Sequence, residues 1–179
     1  MIIKEIEEIL GFKLERGQNL ITKPTERNDL IIDKLSRISH KRDDLERVKE
    51  LFKKALEGQS DEMLWSTLGY VHYMLEEFSE AISCFYNTIK CCHINVDNWV
   101  DLSFGYRCLG DIETSNFIFW NLSELITEFC NMDNKINEDI LRELIDKVRK
   151  GNKDKSLSRL IYNRKLSRTK NKRSSLFRR

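Results

Sequence analysis

Apolar side chains recur at intervals of three and four residues over much of this 179-residue chain, a spacing that places them on one face of an α-helix. The clearest stripe predicts an amphipathic helix over residues 62–75 and consists of Leu64, Leu68, Val71 and Leu75. A second stripe follows Phe78 and consists of Ala81, Ile82, Phe85 and Ile89. Two such helices joined by a short connection predict a helical hairpin.

The same pattern continues on both sides of this hairpin. Helices are predicted near 96–109 and 112–129, with a turn at 109–111 where Gly110 takes the left-handed conformation that ends a helix. The stripe of a preceding hairpin consists of Leu30, Ile31, Leu35, Ile38, Leu45, Val48, Phe52 and Ala55. A capping helix that ends at Gly151 is predicted from Ile136, Ile140, Leu141, Leu144, Ile145 and Val148. Residues 1–27 are expected to form an N-terminal extension, with a short helix at 2–10 and an extended or hairpin piece around 12–22.

Composition favours the all-α class. One proline, Pro24, and seven glycines are too few for the many turns of a β-sandwich or barrel. No apolar run approaches about 18 residues, so no membrane-spanning helix is expected. The charged N-terminus is unlike a signal peptide, and we therefore expect a soluble, cytoplasmic protein.

An internal repeat of 34 residues links the two hairpins. The first copy contains Trp65-x2-Leu68-Gly69-x2-His72 and Ala81-x3-Phe85, and the second contains Trp99-x2-Leu102-Ser103-x2-Tyr106 and Ser115-x3-Phe119. These copies resemble the tetratricopeptide-repeat family, whose signature is Trp-x2-Leu-Gly-x2-Tyr, then Ala-x3-Phe, then Pro. The resemblance covers residues 62–129 and extends loosely over 30–58. The chain departs from the signature at His72, Ser103, Ser115 and His93, which replace tyrosine, glycine, alanine and proline.

The resemblance implies a short right-handed superhelix of about three helical hairpins, followed by the capping helix and a basic tail. Residues 28–150 would form the repeat domain and residues 151–179 the tail. Each hairpin needs neighbours to bury its apolar faces. His72 is expected to pack in the core, as are the signature aromatic residues Trp65, Phe85, Trp99 and Phe119.

The resemblance also implies a concave groove that binds a peptide or helix of a partner protein. In this register the partner-binding candidates are Ser66, Tyr70, Tyr73, Met74, Val100, Phe104 and Arg107. Helix-to-helix packing is the alternative role for Tyr70, Tyr73 and Phe104. The family's clamp of lysines and asparagines for a C-terminal carboxylate is absent from these positions. An acidic rim at Glu62, Asp97 and Asp101 would instead favour a hydrophobic segment with basic flanks.

Charge divides the chain into an acidic body and a basic tail. Residues 1–146 carry 17 Lys or Arg and 28 Asp or Glu, whereas residues 147–179 carry 14 Lys or Arg and one acid, Asp154. The window 61–134 alone has a net charge of −10. Charge blocks of this kind are often interaction tails. The electrostatic candidates in the tail are Arg159, Arg164, Lys165, Arg168, Lys170, Lys172, Arg173, Arg178 and Arg179.

Three interpretations of the tail stay open. In the first, the tail is a nucleic-acid-binding arm in which Tyr162 or Phe177 stacks on a base. In the second, it docks on an acidic protein surface, including the body of this chain. In the third, it is a solvated extension. The docking hypothesis predicts that deleting 151–179 strengthens the binding of a basic peptide in trans. No lipidation motif accompanies the charges, so no membrane partner is expected.

Residues that could carry chemistry form no recognisable catalytic or metal-binding motif. No glycine-rich phosphate loop, Gly-x-Ser-x-Gly or His-Glu-x-x-His occurs, so we predict no enzymatic activity and no cofactor. Cys91-Cys92-His93 does not converge on one ion, because adjacent helical residues point about 100° apart. The cysteines are expected to be buried reduced thiols, and they are Cys84, Cys91, Cys92, Cys108 and Cys130.

The sequence therefore favours a cytoplasmic adaptor that binds a peptide or helix of another protein. A nucleic-acid or ribonucleoprotein-associated protein that uses the basic tail is the first alternative. A small helical-repeat chaperone for secreted or assembling proteins is the second. Exposed apolar faces at the ends of so short a stack would also permit a homodimer.

Overall fold

The computed structural model describes residues 1–14, 31–38, 41–131 and 138–151, and within these ranges it contains nine helices and no strand. The helices are α1 Ile2–Leu10, α2 31–36, α3 Arg42–Leu56, α4 Glu62–Met74, α5 Phe78–Cys91, α6 Val96–Cys108, α7 Ile112–Trp120, α8 Leu122–Cys130 and α9 138–151. The expected all-α fold class is therefore confirmed. No helix in these ranges is both long and apolar enough to cross a membrane.

Some of the predicted features lie outside the described residues. These are Leu30, Ile136, most of the piece around 12–22, and all of residues 152–179. Within the described ranges, α1 matches the short helix predicted at 2–10. Gly151, which was predicted to end the capping helix, is itself helical and is the last described residue of α9.

Side-chain caps and a glycine set the boundaries of the central helices. Asp61 accepts a hydrogen bond from the Leu64 amide at 3.1 Å where α4 begins, and Asp111 accepts one from the Thr114 amide at 2.9 Å where α7 begins. Such caps satisfy amides that have no partner inside the helix. Gly110 has a φ of 91° just after α6, the left-handed conformation predicted for it.

The helix predicted over 112–129 is two helices, because the chain breaks at Asn121. Asn121 has φ −122° and ψ 23°, outside the helical region, and its side-chain amide donates to the Phe117 carbonyl at 2.7 Å. Asparagine side chains compete with backbone amides for such carbonyls and so disfavour a continuous helix. As a result α7 ends at Trp120, and α8 begins at Leu122 as a separate element.

Small residues let the paired helices approach each other closely. In the hairpin of α4 and α5, a Cβ added to Gly69 would lie 2.5 Å from Cε1 of Phe85. In the hairpin of α6 and α7, Oγ of Ser103 donates to the Ser115 carbonyl at 2.9 Å. Gly69 and Ser103 are 34 residues apart, so both copies of the repeat place a small side chain at the same point of closest contact.

Helices α4 and α6 lie side by side and parallel, at a nearly constant separation in sequence. The contacts between the two segments join Glu62 to Asn95, Ser66 to Asp101, Tyr70 to Asp101, and Tyr73 to Phe104, pairs that are 31 to 35 residues apart. A 34-residue repeat produces such an offset when its two copies stack in the same orientation.

The last helix, α9, packs against the second hairpin and buries most of the apolar stripe predicted for it. Its buried side chains are Leu141, Leu144, Ile145 and Val148. Arg142 donates to the Tyr106 hydroxyl at 3.2 Å and lies over the ring of Tyr86. Arg149 donates to Oγ1 of Thr114 at 2.8 Å. At the opposite end of the stack, α1 packs against α3, burying Ile6, Leu45 and Val48.

Two of the four aromatic side chains expected in the core are buried there. Trp99 and Phe85 are fully buried, whereas Trp65 is half-buried and Phe119 is 46% exposed. The core prediction for Phe119 is wrong because Ile118 takes the inward position at this end of α7, and the next side chain points about 100° away. His72 is 5% exposed and lies in the core as predicted.

Candidate partner-binding surface

Two of the seven predicted groove residues are buried between helices. Ser66 is completely buried and Tyr70 is 2% exposed. Both donate hydrogen bonds to the carboxylate of Asp101 on α6, Tyr70 at 2.5 Å and Ser66 at 3.3 Å. These two side chains therefore join α4 to α6 and are not open to a partner. For Tyr70, the packing role is the one that the structure shows.

Two of the three residues of the predicted acidic rim are also buried. Asp97 is 5% exposed and Asp101 is 1% exposed. Glu62 is half-buried and accepts a hydrogen bond from the side-chain amide of Asn95 at 2.6 Å. A carboxylate is tolerated in the interior when other groups of the protein donate hydrogen bonds to it, and its charge then acts on those groups rather than on a ligand at the surface. The expectation of a partner with basic flanks loses its basis here.

The other five predicted residues lie on a partly open surface where α4, α5 and α6 meet. We call it the aromatic surface, and it consists of Tyr73, Met74, Phe78, Val100, Phe104 and Arg107. Tyr73 is at its centre, with its ring edge-on to Phe104 at 5.0 Å and 6.1 Å from the ring of Phe78. The apolar side chains are half-buried and Arg107 is exposed.

Phe78 is the member that sequence reasoning missed. It is the first residue of α5, so the short turn after α4 carries it back beside Tyr73. The sequence feature that could have indicated its place on this surface is the position of an aromatic residue directly after that turn. Its position relative to α4 depends on the turn geometry, which residue periodicity does not describe.

Arg107 is the one charged member of the aromatic surface. It makes no hydrogen bond or ion pair with any described residue, and it lies one turn after Phe104 on α6. An arginine on the same surface as Tyr and Phe side chains has the composition that is enriched at the energetic centres of protein interfaces.

A buried polar network supports the turn beside this surface. Nδ1 of His72 lies 2.6 Å from Oε2 of Glu77, and Nζ of Lys49 lies 2.8 Å from Oε1 of the same carboxylate. Burial lowers the pKa of His72, and this outweighs the opposite effect of its hydrogen bond to Glu77. Burial alone would raise the pKa of Glu77, but the hydrogen bonds from Lys49 and His72 bring it below its ordinary value. The network links α3 to the turn between α4 and α5.

The cysteines are less uniformly buried than expected. Cys84 is buried, Cys91, Cys92 and Cys108 are half-buried, and Cys130 is exposed. Burial raises the pKa of the Cys84 thiol to about 12, so this thiol is not a nucleophile at neutral pH. In the described part of the chain, no three His, Cys, Asp or Glu side chains are grouped so as to hold a metal ion.

A second exposed apolar surface lies on α7 and was not recognised from the sequence. We call it the α7 face, and it consists of Ile112, Asn116, Phe119 and Trp120. The spacing of four, seven and eight residues places these side chains on one side of the helix. Trp120 is 78% exposed, and beside it is a shallow cavity of about 440 Å³ lined also by Asn121, Ser123, Glu124, Thr127 and Glu128.

The chain has been compared with family models, with curated proteins and with solved structures, and none of them matches it. The candidate sites therefore stand on the residues and contacts described above. All of the predicted electrostatic residues of the basic tail lie outside the described ranges.

Proposed function

We propose that this chain is a non-enzymatic, cytoplasmic interaction module of the tetratricopeptide-repeat type, and that it binds a peptide or helix of a partner protein on the aromatic surface. The observation that carries the proposal is Arg107, an exposed guanidinium that has no acceptor among the described residues and lies one helical turn after Phe104, whose half-buried ring is edge-on to that of Tyr73. Few other features of a folded surface combine apolar area with an unused charged donor in this way.

The repeat interpretation is supported by the internal geometry. The 31-to-35-residue offset between contacting positions of α4 and α6 agrees with the 34-residue spacing in the sequence. The close contact of Gly69 with Phe85 agrees with the small residue that the signature requires there. In proteins built from such hairpins, the first helices line a shared face, and that face is available to a ligand.

The chemistry of the surface specifies the ligand. Tyr73, Met74, Val100 and Phe104 offer apolar contact area, so the ligand segment needs at least one large apolar side chain. Arg107 offers a planar pair of donors, which a carboxylate accepts with the best geometry. We therefore expect an apolar segment that carries an Asp or Glu close to its apolar residue. This differs from the basic-flanked ligand expected from sequence.

The proposal is tested by panning a displayed library of random dodecapeptides against the full chain and measuring the affinity of the selected peptides by fluorescence anisotropy. Arg107→Glu reverses the charge at the surface. Lys90→Glu is the matched control, because Lys90 is also an exposed helical base and lies outside the aromatic surface. Phe104→Ala removes apolar area from the same site.

We expect the selected peptides to combine large apolar residues with Asp or Glu. Arg107→Glu should weaken binding about tenfold, which corresponds to about 1.4 kcal/mol. Phe104→Ala should weaken it at least as much, and Lys90→Glu should leave it unchanged. Peptides that bind equally well to all four proteins, or no enrichment at all, would overturn the proposal.

A further inference from the structure

The α7 face is an apolar surface that no described element covers. Apart from Met1, every large hydrophobic side chain that is exposed in the described residues belongs to the segment from Ile94 to Trp120. On α7 itself, Ile112 is 45%, Phe119 46% and Trp120 78% exposed. Contiguous exposed apolar side chains of this size typically mark an interaction site.

The surroundings of the α7 face are acidic. Residues 108–131 contain no Lys or Arg, and their four acids are Asp111, Glu113, Glu124 and Glu128. Glu124 and Glu128 line the cavity beside Trp120, and Glu128 also forms an ion pair with Nζ of Lys147 on α9 at 2.9 Å. An exposed indole ring next to carboxylates attracts a cation, by the cation–π interaction and by charge-assisted hydrogen bonds. The occupant of this face therefore needs apolar side chains interleaved with basic ones.

The chain itself supplies a segment with this chemistry, and that segment follows a helix that packs against α7. Arg149 of α9 donates to Thr114 on α7 at 2.8 Å and lies 5.2 Å from the ring centre of Phe117. At about 100° per residue, these two α7 residues lie on the other side of the helix from the α7 face, so a segment that follows α9 reaches this face by passing around α7. Gly151, the last described residue of this part of the chain, follows two residues later. Residues 152–179 then carry eleven Lys or Arg and one acid. The described chain thus leads away from a contact with α7 itself.

The order of residues in this segment also suits the face. Leu157, Leu160 and Ile161 are spaced by three and four, and Arg159, Arg164 and Lys165 lie among and after them. The ten residues from 152 to 161 span about 33 Å when extended, whereas a nine-residue helix such as α7 is about 13.5 Å long and about 10–12 Å in diameter. The segment around Ile161 therefore reaches any part of the α7 face from Gly151.

We propose that residues 152–179 occupy the α7 face of their own chain. Leu157, Leu160 and Ile161 cover Phe119 and Trp120, and a basic side chain from the same segment enters the cavity between Trp120, Glu124 and Glu128. Because the two parts are covalently linked, their effective concentration is high, and a weak contact is enough to hold them together. The docked segment withholds its cations from other polyanions, and a competing acidic partner releases it.

The inference does not rest on the proposed function, because it concerns a different surface.

The position of residues 152–179 is tested by photo-crosslinking. The full chain is prepared with the photo-crosslinking residue p-benzoylphenylalanine in place of Tyr162. After irradiation, crosslinked peptides are mapped by mass spectrometry. Mixing chains with and without ¹⁵N separates crosslinks within one molecule from crosslinks between two copies.

The comparison uses Glu124→Lys and Trp120→Ala in the crosslinking chain. Glu80→Lys is the matched charge reversal, since Glu80 is an exposed helical glutamate that does not line the cavity. We expect crosslinks within one molecule to residues 112–128. Their yield should fall severalfold in Glu124→Lys, in Trp120→Ala and at high salt, and should not change in Glu80→Lys or Phe104→Ala.

Crosslinks to another part of the chain, or only between two copies, would overturn the inference. The last part of the experiment repeats the crosslinking in the presence of a single-stranded RNA oligonucleotide and measures the binding of this RNA. If residues 152–179 bind this RNA while crosslinking nowhere on their own chain, the segment is a nucleic-acid-binding arm and the docking proposal is wrong. If the RNA binds only at the expense of the crosslink to α7, the docked state is supported.

Discussion

The hydroxyl of Tyr70 on α4 donates a 2.5 Å hydrogen bond to the carboxylate of Asp101 on α6, at a point where both side chains are buried. The two residues are 31 positions apart and belong to successive copies of the repeat. A charged group in an apolar environment is costly unless its hydrogen bonds are made, so this pair favours one register of the two helices over others.

Tyr70→Phe should lower the free energy of unfolding by about 1–3 kcal/mol, because a buried carboxylate loses a donor while the ring is kept. The measurement is urea unfolding followed by circular dichroism. Tyr73→Phe is the matched control, since the Tyr73 hydroxyl forms no hydrogen bond with a described residue and its ring is half-buried. Equal losses in the two variants would mean that the Tyr70–Asp101 contact does not stabilise the register.

Gly69→Ala should destabilise the first hairpin. The new Cβ would lie 2.5 Å from Cε1 and 2.9 Å from Cδ1 of Phe85, a ring that is itself fully buried and has no free space to enter. Overpacking of this kind typically costs about 1–3 kcal/mol. Gly151→Ala is the control, because a Cβ there meets no atom within 4 Å and alanine favours the helical conformation. We expect Gly69→Ala to lower the midpoint temperature of thermal unfolding and Gly151→Ala not to lower it.

The burial of His72 should make stability depend on pH below neutrality. Because burial lowers the pKa of His72 in the folded protein, the unfolded chain binds this proton more tightly. The free energy of unfolding should therefore fall as the pH drops from about 7 through the unfolded value of about 6.5, and level off below the folded value. Urea midpoints measured between neutral and mildly acidic pH report this slope.

His72→Gln should flatten that slope, since glutamine keeps a donor for Glu77 but does not titrate. His93→Gln serves as the comparison, because His93 stacks on Phe129 and is not part of the network around Glu77. The loss of stability that follows when Glu77 is protonated belongs to a lower pH range, below its ordinary pKa. A slope that persists unchanged in His72→Gln would contradict the assignment.

Thiol labelling should separate the cysteines by burial. Cys130 is exposed and should react first with iodoacetamide, whereas Cys84 should react only after unfolding, because burial raises its pKa to about 12 and denies access to the reagent. Peptide mapping of partially labelled protein in buffer and in urea provides the measurement. Early modification of Cys84 in buffer would mean that α5 opens locally at low cost.

The helices and the hairpin order were predictable because each depends on residues close in sequence. The stripe from Leu64 to Leu75, the cap at Asp61 and the turn at Gly110 are local signals, and the structure contains the corresponding elements. The break at Asn121 was not predicted, because apolar periodicity continues through it. The deciding event is a side-chain hydrogen bond to the Phe117 carbonyl.

The candidate surface was only partly predictable. Ser66, Tyr70 and Asp101 have the polarity of groove residues, but their burial depends on how closely α6 approaches α4. In the same way, Phe119 occupies a core position in the pattern, yet it is exposed because Ile118 faces inward instead. Periodicity gives the side of a helix to within about one residue, and here one residue is the difference between core and surface.

The stacking of neighbouring helices has a consequence for how the chain acquires its structure. Extensive packing joins α4 to α5, α5 to α6 and α6 to α7, all of which are consecutive along the chain. Contacts between consecutive helices close short loops, and helical proteins of this kind fold within microseconds to milliseconds. Each hairpin can therefore pack on the preceding one as soon as its second helix has left the ribosome, and the hairpin of α6 and α7 then waits only for α9 to cover its remaining side.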